Sequence, residues 1–342
     1  MPKPALQNRR EAALDGLTGA FWCHFPPDLR YGMGTVLAHL LWRRLTGGDF
    51  IKVMNEYAHP LPPDVTRAAE LRLVCAEPLE RDFYRGQLDI VRAVVARSGG
   101  RWPVFATVLN PFGQMRDRYG WPRLAGWIDE DPAAVAAALR RIAAGLAVLA
   151  RDCVAEAGAT GVFFASQGGE AGRLDDAGFA ALVAGPDRLV LEAAAAAGSC
   201  TILHACGEDL AVRRYRDYRA AAVNWDAVHN HDSAGLWPQA CRMPGLDLRG
   251  ALRDGDAAAI RAAVKGLPRA ADGGAQLLAA ACTVSSDMPF WRMRAALAAA
   301  GGRVGARPGR IDLLTWHGLR TAARLRGAVR RRLAVLRGRR VS

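Results

Sequence analysis

The chain has 342 residues, 51% of them hydrophobic and 23% charged, which is typical of a folded globular protein and not of a disordered one. The formal net charge is +13. Nine arginines and no acid lie between Gly318 and Ser342, so subtracting these nine leaves +4 for residues 1–317. Because the excess charge is confined to one end, we predict no nucleic-acid-binding surface on the body.

The start of the chain and its cysteines predict a compartment. Met1 to Asp15 is polar, and no uninterrupted run of 18 apolar residues follows. We therefore expect neither a signal peptide nor a transmembrane segment. The seven scattered cysteines then predict a cytoplasmic protein with reduced thiols. In such proteins, clustered Cys and His indicate metal binding or catalysis more often than disulfides.

Short apolar runs alternate with longer helical patterns along the chain. The predicted strands are 19–25, 50–55, 104–109, 161–166, 201–206, 221–224, 246–250 and 277–282. The predicted helices are 34–45, 65–75, 83–96, 132–157, 175–197, 209–218, 256–266 and 289–300. Strands that alternate with helices predict βαβ units and a parallel sheet.

Eight such repeats predict an α/β fold of the (β/α)₈ TIM-barrel type, formed by residues 1–342 as a single domain. A doubly wound open sheet is the alternative. Two helices between residues 55 and 102 are predicted as N-terminal capping helices of the barrel.

The end of the chain, residues 318–342, predicts a basic amphipathic C-terminal helix. Leu325, Val329, Leu333 and Leu336 recur at helical spacing among the arginines. We expect this apolar face to pack on the body. The alternative is a contact with an anionic surface, whether acidic protein, membrane or nucleic acid.

Three residues at predicted strand ends form a candidate metal site. His204 and Cys206 are two positions apart at the end of one strand, so both side chains point to the same face. Cys282 ends the last predicted strand. Active sites of such barrels lie at the carboxyl ends of the strands. One nitrogen and two sulfur ligands are typical of Zn²⁺, which we predict as the cofactor. A lone His-x-Cys pair would more often be simple packing.

Other polar residues follow the predicted strands. We single out Glu56, Gln167, Asn224 and Asp226 as candidate catalytic residues, which would orient the substrate or the imidazole of His204. The sequence does not distinguish among these four.

Four sequence blocks carry a family resemblance: Gly161-Val-Phe-Phe-Ala-Ser-Gln, Ile202-Leu-His-Ala-Cys-Gly, Val223-Asn-Trp-Asp and Ala281-Cys-Thr-Val-Ser-Ser-Asp-Met-Pro. In order and spacing they resemble the uroporphyrinogen decarboxylase superfamily, whose fold is the (β/α)₈ barrel. One branch decarboxylates uroporphyrinogen without a metal. The other contains zinc-dependent methyltransferases that pass a methyl group between a corrinoid protein and a thiol.

The resemblance is closest to the methyltransferase branch. That branch binds zinc with a His-x-Cys pair and a distant Cys, which His204, Cys206 and Cys282 match. It implies that zinc activates a small-molecule thiol substrate to accept a methyl group from a corrinoid protein partner. The decarboxylase branch is the alternative, but its N-terminal arginine block is missing and only Arg30 could replace it. A barrel that only binds a partner is a third, non-enzymatic interpretation.

Overall fold

A computed structural model describes residues 13–57, 59–74, 81–230, 236–237, 240–268 and 276–336. Within these residues a parallel sheet has seven strands that pair in chain order. The strands are β1 (Ile51–Val53), β2 (Val104–Leu109), β3 (Gly161–Ser166), β4 (Ile202–Ala205), β5 (Ala222–Asp226), β6 (Cys241–Leu246) and β7 (Ala279–Ala280). This curled parallel order is that of a TIM-barrel-like sheet.

Residues 19–25 link the two edges of the sheet. The amide of Ala20 donates to the carbonyl of Leu278 at 3.1 Å, and the amide of Asp49 donates to the carbonyl of Gly19 at 2.9 Å. A Cβ at Gly19 would collide with the backbone of Leu278, so only glycine permits this approach. The predicted first strand thus makes isolated parallel bridges without forming a continuous strand.

The described residues form eleven α-helices. They are α1 (Gly32–Thr46), α2 (Arg81–Ser98), α3 (Pro111–Tyr119), α4 (Trp121–Glu130), α5 (Pro132–Ala155), α6 (Asp176–Phe179), α7 (Gly185–Ala196), α8 (Ala251–Asp254), α9 (Ala257–Lys265), α10 (Phe290–Ala299) and α11 (Arg310–Leu336). Several begin as the sequence predicts: Asp131 caps α5 by accepting from the amide of Ala134 at 2.9 Å, with Pro132 in the first turn.

The strand predicted at 246–250 is wrong in position, and the helix predicted at 209–218 is wrong in type. The strand predicted at 246–250 lies instead at Cys241–Leu246, because residues 247–250 form a turn in which Asp247 accepts from the amide of Arg249. Pro244 hides the true strand, since proline argues against a central strand. The helix predicted at 209–218 is reduced to a 3₁₀ turn, Val212–Tyr215.

The expected capping helices correspond to a 3₁₀ turn, Ala68–Leu73, and to helix α2. A capping role for them stays a prediction. Helix α5 is long and apolar enough to cross a membrane, the one such helix among the described ranges. Half of its apolar window is buried, and it packs against α7 and strands β2 and β3 as a core helix does.

The interior of the sheet is filled by a cluster of aromatic and aliphatic side chains. Trp22, Phe50, Phe105 and Phe163 are all buried there, and the Trp22 and Phe163 ring centroids lie 4.8 Å apart. Because these rings fill the interior, space for a ligand remains only toward the carboxyl ends of the strands.

Helix α11 packs on the body through a face that differs from the predicted one. Trp316 and Ala323 are buried, whereas Leu325 is 63% and Val329 56% exposed. The prediction that the Leu325–Val329 face packs on the body is therefore wrong. Residues 337–342 of the predicted tail lie outside the described residues.

Candidate metal centre

A pocket of about 450 Å³ opens at the carboxyl ends of the strands. Its described lining comprises Trp22, His24, Lys52, Met54, Asn55, Glu56, Tyr57, His59, Thr107, Leu109, Gln114, Asp117, Arg118, Ala165, Gln167, His204, Cys206, Cys282 and Thr283. The three predicted zinc ligands and two of the four predicted catalytic residues, Glu56 and Gln167, are among them.

The structure brings the three predicted ligands together. His204 lies in β4, Cys206 follows that strand and pairs its amide with the carbonyl of Ser166 at 2.9 Å, and Cys282 follows β7. One ligand atom of each residue lies within 4.8 Å of the other two. Separate ends of a curled parallel sheet converge in this way because their carboxyl ends surround one opening.

The imidazole of His204 is buried without a conventional partner. The residue is 4% exposed, and neither ring nitrogen has an N–H···O or N–H···N partner among the described residues. Buried polar groups normally have hydrogen-bond partners. A buried imidazole without one, beside two sulfur atoms, therefore indicates a site for a metal ion. One nitrogen and two sulfurs are the donor set that Zn²⁺ prefers, and three protein ligands leave a fourth position open. The residues present therefore fit zinc.

The two thiols differ in acidity. Interaction with the Cys206 thiol is the main cause that holds the pKa of Cys282 well below its usual value, and His204 lowers that pKa further. Interaction with Cys282, together with burial, raises the pKa of Cys206 well above its usual value. A pair of cysteines that holds one negative charge beside the His204 ring attracts a soft cation, since thiolate is the metal-binding form of cysteine.

Lys52 was missed by the sequence analysis. Its side chain is buried in β1, with Nζ 3.1 Å from Sδ of Met54 and 4.5 Å from the centroid of the Phe163 ring. Burial lowers the pKa of Lys52 to about 8. No carboxylate in the described part of the chain forms an ion pair with it. The available signal was a lysine inside an apolar strand, in a chain with only two others.

Glu56 lies at the rim of the pocket between two basic groups. Its Oε1 is 2.9 Å from Nδ1 of His24, and its Oε2 is 3.4 Å from Nε of Arg30. The carboxylate is largely buried and the His24 ring half-exposed. Arg30 thus orients a pocket carboxylate, in contrast to the substrate-binding role that the decarboxylase alternative would give it.

Gln167 is held in the pocket by its backbone. Its amide donates to Oδ1 of Asn110 at 3.1 Å, and its carbonyl accepts from Nδ2 of Asn110 at the same distance. Nδ2 of Asn110 in turn donates to Oδ1 of Asp187 at 3.1 Å. Oε1 of Gln167 has no partner among the described residues, so it is available to a ligand.

The carboxyl group of Asp187 is fully buried behind strand β3. It accepts from Ser166 Oγ at 2.6 Å and from Tyr218 Oη at 2.9 Å. Burial nevertheless raises its pKa to about 7, because these hydrogen bonds only partly replace lost hydration. The folded protein thus binds a proton that the unfolded chain releases near its ordinary pKa of about 4.

We expect the folding stability to fall as the pH rises through 7. A carboxyl group with a raised pKa in the folded state contributes stability that is fully present below the unfolded pKa and lost above the folded one. Between pH 5 and 8 the loss is about 2–3 kcal/mol. Denaturant titrations of D187N should show a correspondingly smaller fall, while D89N, at an exposed carboxylate, should behave like wild type. Equal pH dependence in wild type and D187N would contradict this assignment.

Asn224 and Asp226 lie outside the pocket lining. Asn224 is fully buried next to His204 in the β4–β5 register and donates to the carbonyl of Met243 at 2.8 Å. Asp226 accepts from the amides of Val228 and His229 and lies 2.8 Å from Nδ1 of His229. Asp226 therefore stabilises a turn, and a catalytic role for either residue stays a prediction.

A second group of metal-ligating types contains Glu208, Asp226 and His229. Glu208 is exposed and forms an ion pair with Arg249, whose guanidinium also lies 3.3 Å from Nε2 of His229. A guanidinium already neutralises this cluster, so it does not resemble a metal site.

Comparisons with known proteins define the class to which this fold belongs. A methyltransferase from Methanosarcina mazei superposes with a TM-score of 0.67 at 16% identity, covering 86% of this chain and 98% of that one. A B12-independent methionine synthase from Shewanella sp. W3-18-1, in complex with selenomethionine, gives a TM-score of 0.50 at 13% identity, covering 83% and 94%. These likenesses support the TIM-barrel-like fold.

The family model for uroporphyrinogen decarboxylase (URO-D) matches residues 56–302. The chain therefore belongs to the uroporphyrinogen decarboxylase family, as the four sequence blocks predicted. Among curated proteins, none matches the chain by sequence.

Proposed function

We propose that the protein is a zinc-dependent methyltransferase, in which a zinc-bound thiol accepts a methyl group from a methyl-corrinoid protein. The observation that carries the proposal is the convergence of His204, Cys206 and Cys282 around an unpaired, buried imidazole. Membership of the family and the methyltransferase among similar structures support this reading.

His204, Cys206 and Cys282 would hold the metal, and the open pocket would leave room for the thiol. Zinc would supply Lewis acidity that keeps the substrate sulfur deprotonated at neutral pH. The deprotonated sulfur would form a bond to the methyl carbon, and the electron pair of the carbon–cobalt bond would stay on the corrinoid. Two cysteine ligands suit this chemistry, since they leave the substrate sulfur electron-rich.

Pocket residues would position the thiol substrate. Lys52 offers a buried positive charge to an anionic group of the substrate, and Oε1 of Gln167 offers an acceptor. Glu56, fixed by His24 and Arg30, adds a carboxylate at the rim. We propose that these three residues orient the thiol and exclude water from its sulfur.

The decarboxylase alternative fits the pocket charges less well. A tetrapyrrole with many carboxylates needs several cations. The described pocket lining contains one lysine and one arginine, Lys52 and Arg118. It also contains two carboxylates, Glu56 and Asp117, which offset those positive charges. We therefore favour a substrate of small charge.

The cysteines bear on the compartment. Cys206 and Cys282, which belong to the proposed zinc site, both carry free thiols. Because thiols stay reduced in the cytosol, we propose that the enzyme works in the cytoplasm.

The test is metal analysis combined with an activity assay on anaerobically purified protein, without chelator. We expect about one zinc per chain, consistent with one such donor set. We also expect thiol-dependent loss of the methyl group from free methylcobalamin, with the thioether detected by mass spectrometry. Absence of zinc, or decarboxylation of uroporphyrinogen that continues after the metal is removed, would overturn the proposal.

A further inference from the structure

Helix α11 rests on the body through one well-defined face. Trp316 and Ala323 are buried, and Arg320 forms an ion pair with Asp287. Further along, Gly327 packs so closely on Asp28 that a Cβ there would overlap the carboxylate. The helix is therefore seated on the body at least as far as residue 327, and its opposite face points away from the body.

That opposite face carries four large exposed apolar side chains. Ile311, Leu314, Leu325 and Val329 are 79%, 70%, 63% and 56% exposed. At about 100° per residue, their positions fall within an arc of about 60°, which we call the outer stripe. The buried side chain of Trp316 lies about 150° or more from the centre of this stripe.

Arginines border the outer stripe. Arg324 and Arg326 are exposed and lie on either side of it, each about 100° from its centre. No acid follows Asp312 in the sequence, and nine arginines lie between Gly318 and Ser342. The exposed face thus combines an apolar strip with uncompensated positive charge.

We propose that the outer stripe binds an anionic lipid surface, with helix α11 lying in the plane of the interface. An apolar strip bordered by arginines on both sides is the arrangement of interfacial helices, whose long side chains reach the headgroups while the strip enters the acyl boundary. Positive charge without acids complements the anionic lipids.

A nucleic acid would account for the arginines but leave the exposed apolar side chains unexplained, and an acidic protein is an outcome that the test below separates from lipid. The helix also lies beyond residue 302, where the family match ends. Lipid binding would therefore be a property of this chain that is separate from the proposed zinc chemistry.

The test is flotation of the full-length protein with phosphatidylcholine vesicles, with and without phosphatidylglycerol. We expect binding only to the vesicles that contain phosphatidylglycerol, weakened by added salt. The double variant L325S/V329S should bind at least about tenfold more weakly, because the apolar contact is lost. R324Q/R326Q should also weaken binding. The matched control is L189S, at an exposed leucine of α7.

Two results would overturn this inference. Wild-type protein that stays unbound with phosphatidylglycerol vesicles at low salt would do so. Binding that is unchanged in L325S/V329S would do so as well, since charge alone would then explain it and an acidic macromolecule would serve equally. Because Leu325 and Val329 are exposed, the variant should fold normally, and an unchanged zinc content and circular dichroism spectrum would verify this.

Discussion

H204A, C206S and C282S should each lose bound zinc and lower thiol methylation by roughly a thousandfold, the effect of losing several kcal/mol of Lewis-acid stabilisation. The three ligand atoms lie within 4.8 Å of one another and come from two segments, the end of β4 and the end of β7. Two remaining ligands would hold zinc far more weakly, and the substrate thiol would then be largely protonated at neutral pH. Metal content and initial rates with methylcobalamin measure both effects.

The control for these variants is C241S. Cys241 begins β6, and it is absent from the described pocket lining. We expect C241S to keep its zinc and its rate. Thermal unfolding of all four variants separates loss of the metal from loss of the fold. Wild-type rates in C206S and C282S together with full zinc occupancy would contradict the assignment of the ligands.

K52M should raise KM for an anionic thiol on the order of 10- to 100-fold, as expected when a buried charge partner is removed. Nζ of Lys52 is buried among Met54 and the rings of Phe163 and Trp22, without a carboxylate partner in the described residues. Cys282, Cys206 and Glu56 already favour the charged form of Lys52, and an anionic substrate group would add a further countercharge. The zinc content should stay unchanged, because Lys52 is not a ligand.

The measurement compares 3-mercaptopropionate with the uncharged 2-mercaptoethanol. Wild type should favour the anionic thiol, and K52M should lose that preference while its kcat with 2-mercaptoethanol changes little. K265M, at an exposed lysine of α9, provides the control for a lost positive charge. If K52M kept the wild-type preference between the two thiols, the proposed role of Lys52 would be incorrect.

Local patterns were sufficient to predict much of the architecture. Strand–helix alternation predicted the parallel, TIM-barrel-like sheet, and the predicted helix start at residue 132 is confirmed, where Asp131 caps α5. The strand-end rule was enough to bring His204, Cys206 and Cys282 together, because residues two apart share a face and carboxyl ends of barrel strands converge.

Packing between distant segments decided the remainder. Pro244 argues against a strand, yet residues 241–246 pair with β5 on one side and with β7 on the other. They do so because the backbone groups at the edges of both neighbouring strands need hydrogen-bond partners. The sequence predicts Asp226 as a pocket residue, but its carboxylate instead accepts hydrogen bonds from the backbone amides of the turn after β5. Which way a polar side chain points after a strand depends on the loop that follows, and that loop is shaped by contacts far away in the chain.

The amino-acid sequence by itself determined the barrel-like alternation, the soft donor set at the strand ends and the basic C-terminal helix. Only the tertiary structure decided that Lys52 places a buried amino group in the pocket, and that helix α11 buries Trp316 while exposing Leu325. Both outcomes depend on burial, and burial is a property of the assembled neighbours of a residue. Periodicity identifies the faces of a helix, but only the folded body selects the face that it covers.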